Sequence, residues 1–293
     1  MLRKFRRSAF LIALLLSFIV ADRLIAEWDP VSRYDVFSKN DFQRTKDVHP
    51  ESVWPKVIFG NSTVIAAYDE TKSTAGFVNA GINYGKITDL DGMLRQELIH
   101  VGEELVIGLN LFTFLDNLPT DPSYPWHRSA FEPYLYFYRD QITTAAHKHT
   151  IPFIEGKTIE VNRKKLYAKE LYYGTLKPDK LQEKIDLYEA TYYKEPIDSF
   201  RDNLAAFDDV IAYAKDNGIR VRVIWMPWNR SLAPPETVDE LKAHVERELA
   251  DTDYTIMDWT DKFEPEQFHD LGHLNVERGR PAFTKEFDLW AAS

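Results

Sequence analysis

Short apolar runs alternate with helical patterns from residue 56 onward, and this alternation restricts the fold to the α/β class. Apolar runs of strand length occupy residues 57–60, 76–80, 104–110, 219–226 and 254–259. Helical periodicity covers residues 90–102, 196–217 and 238–249. Strands that alternate with helices form a mostly parallel sheet with helices on both faces. The sequence therefore predicts a three-layer sandwich with the parallel sheet in the middle.

Residues 112–195 break this alternation and are rich in tyrosine, lysine and proline. We expect this segment to be a largely helical insertion that covers the carboxyl edge of the sheet. Two interpretations stay open: the insertion packs as ordinary helical structure, or it serves as a lid or acceptor-binding surface.

The first 27 residues predict a membrane anchor or a signal peptide. A start without acidic residues precedes the apolar run 9–21, and its cations are Arg3, Lys4, Arg6 and Arg7. A cleaved signal peptide shares this charge pattern, but cleavage after Ala21 or Ala26 would place a bulky aliphatic residue at the −3 position. We therefore favour a retained anchor whose basic end faces the cytoplasm. Residues 28–55 are then a connector, and the main domain covers residues 56–293.

Charge and cysteine content exclude several classes of function. The formal net charge is -10, although the first 21 residues carry only positive side chains. The remainder is therefore more acidic still, and such a surface repels nucleic acid. Because the chain has no cysteine, it has no thiol nucleophile, no iron–sulfur cluster and no Cys-ligated zinc.

Four short polar blocks occur in the domain, most of them at the ends of predicted strands. They are Gly-Asn-Ser at 60–62, Asn-Ala-Gly-Ile-Asn-Tyr-Gly at 79–85, Gly-Leu-Asn at 108–110 and Asp-Leu-Gly-His at 270–273. A serine at the carboxyl end of a strand lies where open α/β sheets bind ligands. A histidine that is oriented by an aspartate can convert such a serine into a nucleophile. The blocks and their order resemble the SGNH (GDSL-like) hydrolase superfamily, whose blocks contribute serine, glycine, asparagine and histidine.

The resemblance covers about residues 56–110 and 196–288, leaves the insertion unmatched, and implies a serine catalytic site. Ser62 would be the nucleophile, and His273 would act as general base and then general acid. Asp270 would orient the imidazole and stabilise its charged form.

The same resemblance implies three donors for an oxyanion hole. They would be the backbone N–H of Ser62, a backbone N–H of the Tyr84–Gly85 turn, and the side-chain amide of Asn110. The second block is one residue longer than usual, so either Tyr84 or Gly85 could supply its donor. Asn61 replaces the aspartate that is frequent in the first block, and the third block lacks the aspartate that often follows its asparagine.

Other interpretations of these residues remain open. Taken alone, Ser62 could be a helix N-cap and His273 a structural histidine. His269 and His273 have i,i+4 spacing and could bind a metal together with Asp270. Gly272 weakens the helix that such a pair requires. We expect no metal and no cofactor.

Trp225 and Trp228 lie at the end of a predicted strand, close to the expected cleft. Together with Pro227 they could line a pocket for a sugar or an acyl group. The alternative is that they pack against the insertion.

An anchor followed by these blocks resembles the membrane-anchored branch of the superfamily, which is related to proteins of teichoic-acid D-alanylation and polysaccharide O-acetylation. This implies a bacterial esterase or O-acyltransferase outside the cytoplasmic membrane that acts on an acyl ester of a cell-surface glycan. A membrane-bound O-acyltransferase is an expected partner. The alternatives are an inactive scaffold that binds a glycan or that partner, and a lipid esterase.

Overall fold

A computed structural model describes residues 2–28, 39–121, 124–127, 168–250 and 252–292, together with residues 154 and 156. Part of the predicted connector and most of the middle of the predicted insertion lie outside the described residues. The chain divides into two compact units. The first comprises Met1–Arg44 and Asp121–Ala168, and the second comprises Thr45–Thr120 and Lys169–Ser293.

The first unit contains a long apolar helix, α1 (Leu2–Trp28), which is continuous over its whole length. Its section Ser8–Trp28 has a mean hydropathy of 2.3 and is long and apolar enough to cross a membrane by length and composition. At 1.5 Å per residue, 21 residues span about 31 Å, which matches the hydrocarbon thickness of a bilayer. This agrees with a single-pass anchor, and the helix of a signal peptide would pass the same test.

The second unit is built on a five-stranded parallel sheet, as the alternating sequence pattern predicts. Its strands are β1 (Val53–Phe59), β2 (Val78–Asn79), β3 (His100–Leu109), β4 (Arg220–Trp225) and β5 (Thr255–Asp258). Their order in the sheet is β2-β1-β3-β4-β5, and every neighbouring pair is parallel. This is the flavodoxin-like doubly wound order, in which the chain leaves β1 first to one side and then to the other.

Helices cover both faces of this sheet. Within the described residues, the α-helices after α1 are, in chain order, α2 (Asp41–Val48), α3 (Ser62–Ala67), α4 (Ile87–Arg95), α5 (Leu111–Phe114), α6 (Pro178–Thr191), α7 (Arg201–Asp216), α8 (Thr237–Leu249) and α9 (Gly279–Ala291). Helix α3 packs with α9, and α7 packs with both α4 and α8. The second unit is therefore the predicted three-layer sandwich.

The carboxyl-terminal parts of the central strands β1, β3 and β4 are continuously buried, because both faces of the sheet are covered there. On one face, Ile58, Val106 and Ile224 pack in a cluster with Phe283 and Phe287 of α9. Successive strand residues point to opposite faces, so the residues between them form the second core layer. This continuous burial explains why the strands appear as uninterrupted apolar runs in the sequence.

The helix predicted at 90–102 is wrong in its second half. Helix α4 ends at Arg95, and strand β3 already begins at His100. The chain reverses at Glu97, whose φ of 53° lies in the left-handed region. The N–H of Leu98 then donates to the carbonyl of Met93. A non-glycine residue in this conformation gives no clear stop signal in the sequence.

Candidate active site

The candidate site lies where the sheet order changes direction. Ser62 is the first residue of α3, three residues after β1 ends, and Asn110 directly follows β3. Because β1 and β3 are adjacent and parallel, these residues meet at one carboxyl edge. The gap between the two strands is the switch point at which doubly wound sheets bind their ligands.

Two glycines allow α3 to lie directly on this edge. A Cβ at Gly60 or at Gly108 would overlap the side chain of Val64 on α3. The absence of side chains at the ends of β1 and β3 therefore brings the first turn of α3, with Ser62, over the switch point. This close approach gives a structural reason for glycine in the first and third blocks.

Ser62, His273 and Asp270 form one continuous hydrogen-bonded chain. Ser62 Oγ lies 2.8 Å from Nε2 of His273. Nδ1 of His273 lies 2.9 Å and 3.0 Å from the two carboxylate oxygens of Asp270. The carboxylate fixes the Nδ1–H tautomer, so Nε2 is left to accept the proton of the serine hydroxyl. The structure thus brings together the three side chains that the sequence proposes as catalytic.

The Asp270 carboxylate is 1% exposed and has several compensating donors. Oδ1 accepts the backbone N–H groups of Gly272 (3.1 Å) and His273 (2.9 Å), and Oδ2 forms an ion pair with Lys184. Burial alone would raise the pKa of Asp270, but His273 and Lys184 outweigh it and lower that pKa well below its ordinary value. Asp270 is therefore ionised over the whole physiological range.

Tyr172 covers one face of the His273 imidazole. Its ring is stacked on that of His273, with centroids 4.0 Å apart and planes 20° from parallel. Burial raises the pKa of the Tyr172 phenol, Glu170 and Asp270 raise it further, and a hydrogen bond with Ser62 opposes the shift. Tyr172 is therefore neutral and contacts both Ser62 and His273.

Residues 172–176 hold the loop that carries His273 and Asp270. The N–H of Val276 donates to the carbonyl of Tyr172 (2.9 Å), and the N–H of Leu176 donates to the carbonyl of His269 (2.8 Å). The hydroxyl of Thr175 donates to the carbonyl of Phe268 (2.9 Å). This part of the predicted insertion thus supports the loop that carries Asp270 and His273.

Asn110, which the resemblance implies as an oxyanion donor, is not among the described residues that line the cleft around Ser62. Its Oδ1 accepts the N–H groups of Phe112 and Thr113 and so caps α5. Its amide group donates to Thr63 Oγ1 at 3.2 Å and lies 3.4 Å from Asn61 Oδ1. With both amide partners inside the protein, Asn110 is not preorganised as an oxyanion donor.

Asn61 takes part in the same polar network. Its amide donates to Asn110 Oδ1 at 2.9 Å, while its own Oδ1 accepts the N–H and hydroxyl of Thr63. The two asparagines thus connect the ends of β1 and β3, while Asn61 caps α3 and Asn110 caps α5. An aspartate at position 61 would lack the donor for Asn110, which accounts for the asparagine in the first block.

The backbone donors of Ser62 and Tyr84 fit the prediction better than that of Gly85. The N–H of Gly85 donates to the carbonyl of Ile82 at 3.0 Å and is therefore occupied. Tyr84 lines the cleft and has a φ of 54°, and within the described part of the chain no partner is found for its N–H. The N–H of Ser62, in the first turn of α3, likewise has no partner there. Between Tyr84 and Gly85, the geometry thus favours Tyr84.

Ser62 and His273 open into a cleft of about 430 Å³ whose walls include six aromatic side chains. Its aromatic lining residues are Tyr84, Phe112, Tyr172, Tyr188, Tyr192 and Trp228. Glu170 and Lys184 supply charged groups. Aromatic faces with a few polar groups are suited to a ligand that is partly apolar and partly hydrogen-bonding.

The two predicted pocket tryptophans have different locations. Trp228 lines the cleft and is fixed by a 2.7 Å hydrogen bond from its indole N–H to the carbonyl of Leu232. Trp225 is buried, stacks on Phe114 and does not line this cleft. It borders a separate, smaller cavity of about 30 Å³, which it shares with Trp228. Of the two tryptophans, only Trp228 therefore lines the cleft that contains Ser62 and His273.

The metal interpretation of His269, Asp270 and His273 finds no support in the geometry. The segment forms a tight reversal rather than a helix, with a bridge between Phe268 and Leu274. The rings of His273 and His269 are both engaged, and Nδ1 of His269 donates to the carbonyl of Tyr173. Among the residues that the structure describes, the one group with ligand spacing is Asp208, His244 and Glu248 on α7 and α8.

Two residues of the site were missed by sequence reasoning, Tyr172 and Lys184. For Lys184 a signal exists: it lies in the stripe Leu181, Ile185 and Tyr188, whose members pack toward the sheet domain. A lysine at i+3 within an apolar helical stripe points toward a buried partner. Tyr172 lies in an irregular segment and gives no comparable signal.

Comparison with known proteins yields no match, whether with family models, with curated proteins or with solved structures. Any functional conclusion therefore rests on the geometry of the site.

Proposed function

We propose that this protein is a membrane-anchored serine esterase or O-acyltransferase that acts on an acyl ester of a cell-surface glycan. The observation that carries the proposal is the chain Ser62–His273–Asp270, whose hydrogen bonds measure 2.8 Å and 2.9 Å, at the switch point of a doubly wound sheet. The four sequence blocks that resemble SGNH hydrolases support the same reaction.

In the first step, Ser62 Oγ attacks the ester carbonyl while His273 Nε2 accepts the hydroxyl proton. Asp270 stays ionised and stabilises the imidazolium that forms. The carbonyl oxygen becomes an oxyanion, which the N–H groups of Ser62 and Tyr84 stabilise; each such donor contributes about 3 kcal/mol. Collapse of this intermediate breaks the ester C–O bond, and His273 returns its proton to the departing alcohol.

In the second step, a hydroxyl group resolves the acyl-serine. His273 takes the proton of a water molecule or of a sugar hydroxyl, whose oxygen attacks the acyl carbon. Collapse of the second tetrahedral intermediate releases Ser62, which regains its proton from His273. Water as acceptor gives an esterase, and a sugar hydroxyl gives an acyltransferase.

The cleft and the surface charge support a glycan of low charge as the substrate. Rings such as Tyr84, which is 58% exposed at the cleft, offer faces on which a sugar can stack. The net charge of -10 would slow the approach of a strongly anionic polymer. Helix α1 would hold the domain at the outer face of a bacterial membrane, close to such a polymer and to a membrane-bound O-acyltransferase.

The experiment is labelling of the full chain, purified in detergent, with a fluorophosphonate probe. We expect the wild type to be labelled and Ser62→Ala to remain unlabelled with an unchanged melting temperature. Ser8→Ala serves as the matched control, because Ser8 lies on α1 and is remote from Ser62 in the sequence. This variant should label like the wild type. An unlabelled wild type would instead favour the inactive scaffold.

Acyl specificity separates the proposal from a lipid esterase. We expect turnover of acetyl esters to exceed turnover of long-chain esters. A marked preference for long chains would replace the glycan ester with a lipid substrate.

A further inference from the structure

Lys184 lies in contact with the catalytic aspartate although it comes from a different part of the chain. It belongs to α6, and Asp270 follows 86 residues later. The Asp270 side chain is 1% exposed and that of Lys184 is 34% exposed, so the carboxylate is enclosed while the lysine stem reaches it from the cleft. One carboxylate thus serves two partners, Lys184 through Oδ2 and His273 through both oxygens.

The packing of α6 aims Lys184 at this carboxylate. Leu181, Ile185 and Tyr188 of α6 pack against a cluster that contains Trp228 and Leu271, the residue after Asp270. Lys184 lies on the same side of the helix, three residues after Leu181 and four before Tyr188. A lysine in this stripe has lost conformational freedom, and its ion pair with Asp270 offsets that cost.

We infer that Lys184 is a positioning residue of the Ser62 site, one whose charge extends activity to lower pH. The inference rests on the proposed function. The negative charge of Asp270 stabilises the protonated form of His273. The ammonium group of Lys184 neutralises part of that charge and so weakens this stabilisation. A neutral imidazole is the form that accepts the proton of Ser62, so the lysine favours the active form.

Other charged or titratable groups around the pair do not supply this effect. Glu170 and the phenols of Tyr84, Tyr172, Tyr188 and Tyr192 line the same cleft, and His269 packs against Tyr172. Burial raises the pKa of Tyr172 and of Tyr188, so both are neutral. Glu170 is acidic and would have the opposite influence. Among the described residues that line the cleft, Lys184 is the one lysine or arginine, and His273 is the one other residue that can carry a positive charge.

The test compares pH profiles of kcat/KM for 4-nitrophenyl acetate in Lys184→Met and the wild type. We expect the acidic limb of Lys184→Met to move to higher pH by about one unit, because a nearby charge shifts a titration by this order. Activity should then fall about tenfold on that limb and approach the wild-type value on the alkaline plateau, with KM unchanged. Lys184→Arg should restore the wild-type limb.

Lys180→Met is the matched control, since Lys180 lies one turn earlier on α6 and pairs with exposed Glu183. It should leave the profile unchanged. A uniform loss of activity in Lys184→Met at every pH, with a lower melting temperature, would overturn the inference in favour of a structural role. A raised KM with an unmoved limb would overturn it in favour of substrate binding.

A second readout does not depend on turnover. In a Ser62→Ala background, NMR of ¹⁵N-histidine follows the titration of His273, assigned by comparison with His273→Gln. We expect Lys184→Met to move this titration upward by about the same one unit. If it moves while the wild type neither reacts with the probe nor turns over esters, the proposed function fails and only the electrostatic coupling between Lys184 and His273 stands. An unmoved titration overturns the inference.

Discussion

The ring of Tyr172 lies flat against the imidazole of His273, with 4.0 Å between the centroids. The same imidazole is hydrogen-bonded to Asp270 through Nδ1 and to Ser62 through Nε2. Its plane and its direction are therefore both restrained before any substrate binds. A general base that is already oriented has little reorganisation left to undergo in the transition state.

Removal of this ring should impair catalysis more than removal of its hydroxyl. We expect Tyr172→Phe to retain turnover of 4-nitrophenyl acetate within a few-fold, since the stacked face is kept. Tyr172→Ala should lower kcat about tenfold, which corresponds to about 1.4 kcal/mol. Tyr173→Ala is the control, because Tyr173 is 64% exposed. Equal kcat values for Tyr172→Phe and Tyr172→Ala would show that the stacking has no catalytic role.

The two tryptophans near the cleft should respond differently to substitution. Trp228 lines the cleft, so Trp228→Ala should raise KM for an O-acetylated oligosaccharide about tenfold, the equivalent of about 1.4 kcal/mol of binding. Trp225→Phe removes part of a buried ring and should lower stability by about 1 kcal/mol without affecting KM. Steady-state kinetics and urea unfolding measure the two effects. The assignment is wrong if Trp225→Phe changes KM and Trp228→Ala does not.

Most of the fold could be predicted from the sequence because a parallel sheet covered on both faces leaves continuous apolar runs. The strands that contain Ile58, Val106 and Ile224 were located in this way. The turn at Glu97 was not, since its left-handed backbone carries no glycine or asparagine signal. Local periodicity is a good predictor of burial but a poor predictor of the points where the chain reverses.

For the site, the sequence revealed the residues that local motifs contain. Ser62, Asp270 and His273 were all found, but Asn110 could not be recognised as a cap, because a capping asparagine and an oxyanion donor look alike in sequence. Lys184 contacts Asp270 across 86 residues, and that contact depends on how α6 docks. Such long-range contacts require the structure.

The Asn61–Asn110 pair should contribute to stability. Asn61→Ala removes the cap of α3 and the 2.9 Å amide bond to Asn110, and should lower the free energy of unfolding by about 2 kcal/mol. Asn61→Asp keeps the cap but places a carboxylate beside Asn110 Oδ1, so a smaller loss of about 1 kcal/mol is expected. A double-mutant cycle with Asn110→Ala, followed by urea unfolding, measures the coupling. Additive losses would contradict a direct interaction between the two side chains.

Helix α1 should be dispensable for chemistry and required for localisation. Deletion of residues 1–27 should move the protein from the carbonate-washed membrane fraction to the soluble fraction, since no comparable apolar helix occurs elsewhere in the described residues. Turnover of 4-nitrophenyl acetate per molecule should stay within about twofold, because the chemistry needs only the side chains of the second unit. A substitution of Leu15 and Leu16 by arginine tests the same point without a deletion. Retention of either variant in membranes would indicate another attachment.

The low pKa of Asp270 predicts how stability responds to acid. Because this pKa is depressed in the folded protein, Asp270 contributes stability that is fully present above its unfolded value of about 3.9 and is lost as pH falls toward the folded value. Asp270→Asn lacks this contribution and leaves Lys184 without its partner, so at pH 7 it should be less stable by about 3 kcal/mol. As pH decreases from about 5 to about 2.5, the Asp270 carboxylate becomes protonated in the unfolded wild type but stays ionised in the folded protein. The gap in melting temperature between wild type and Asp270→Asn should therefore narrow over this interval.

Asp179→Asn, which alters an acid in the first turn of α6, should show no such narrowing. A gap that stays constant from pH 5 to pH 2.5 by scanning fluorimetry would mean that the charge of Asp270 is not held by His273 and Lys184.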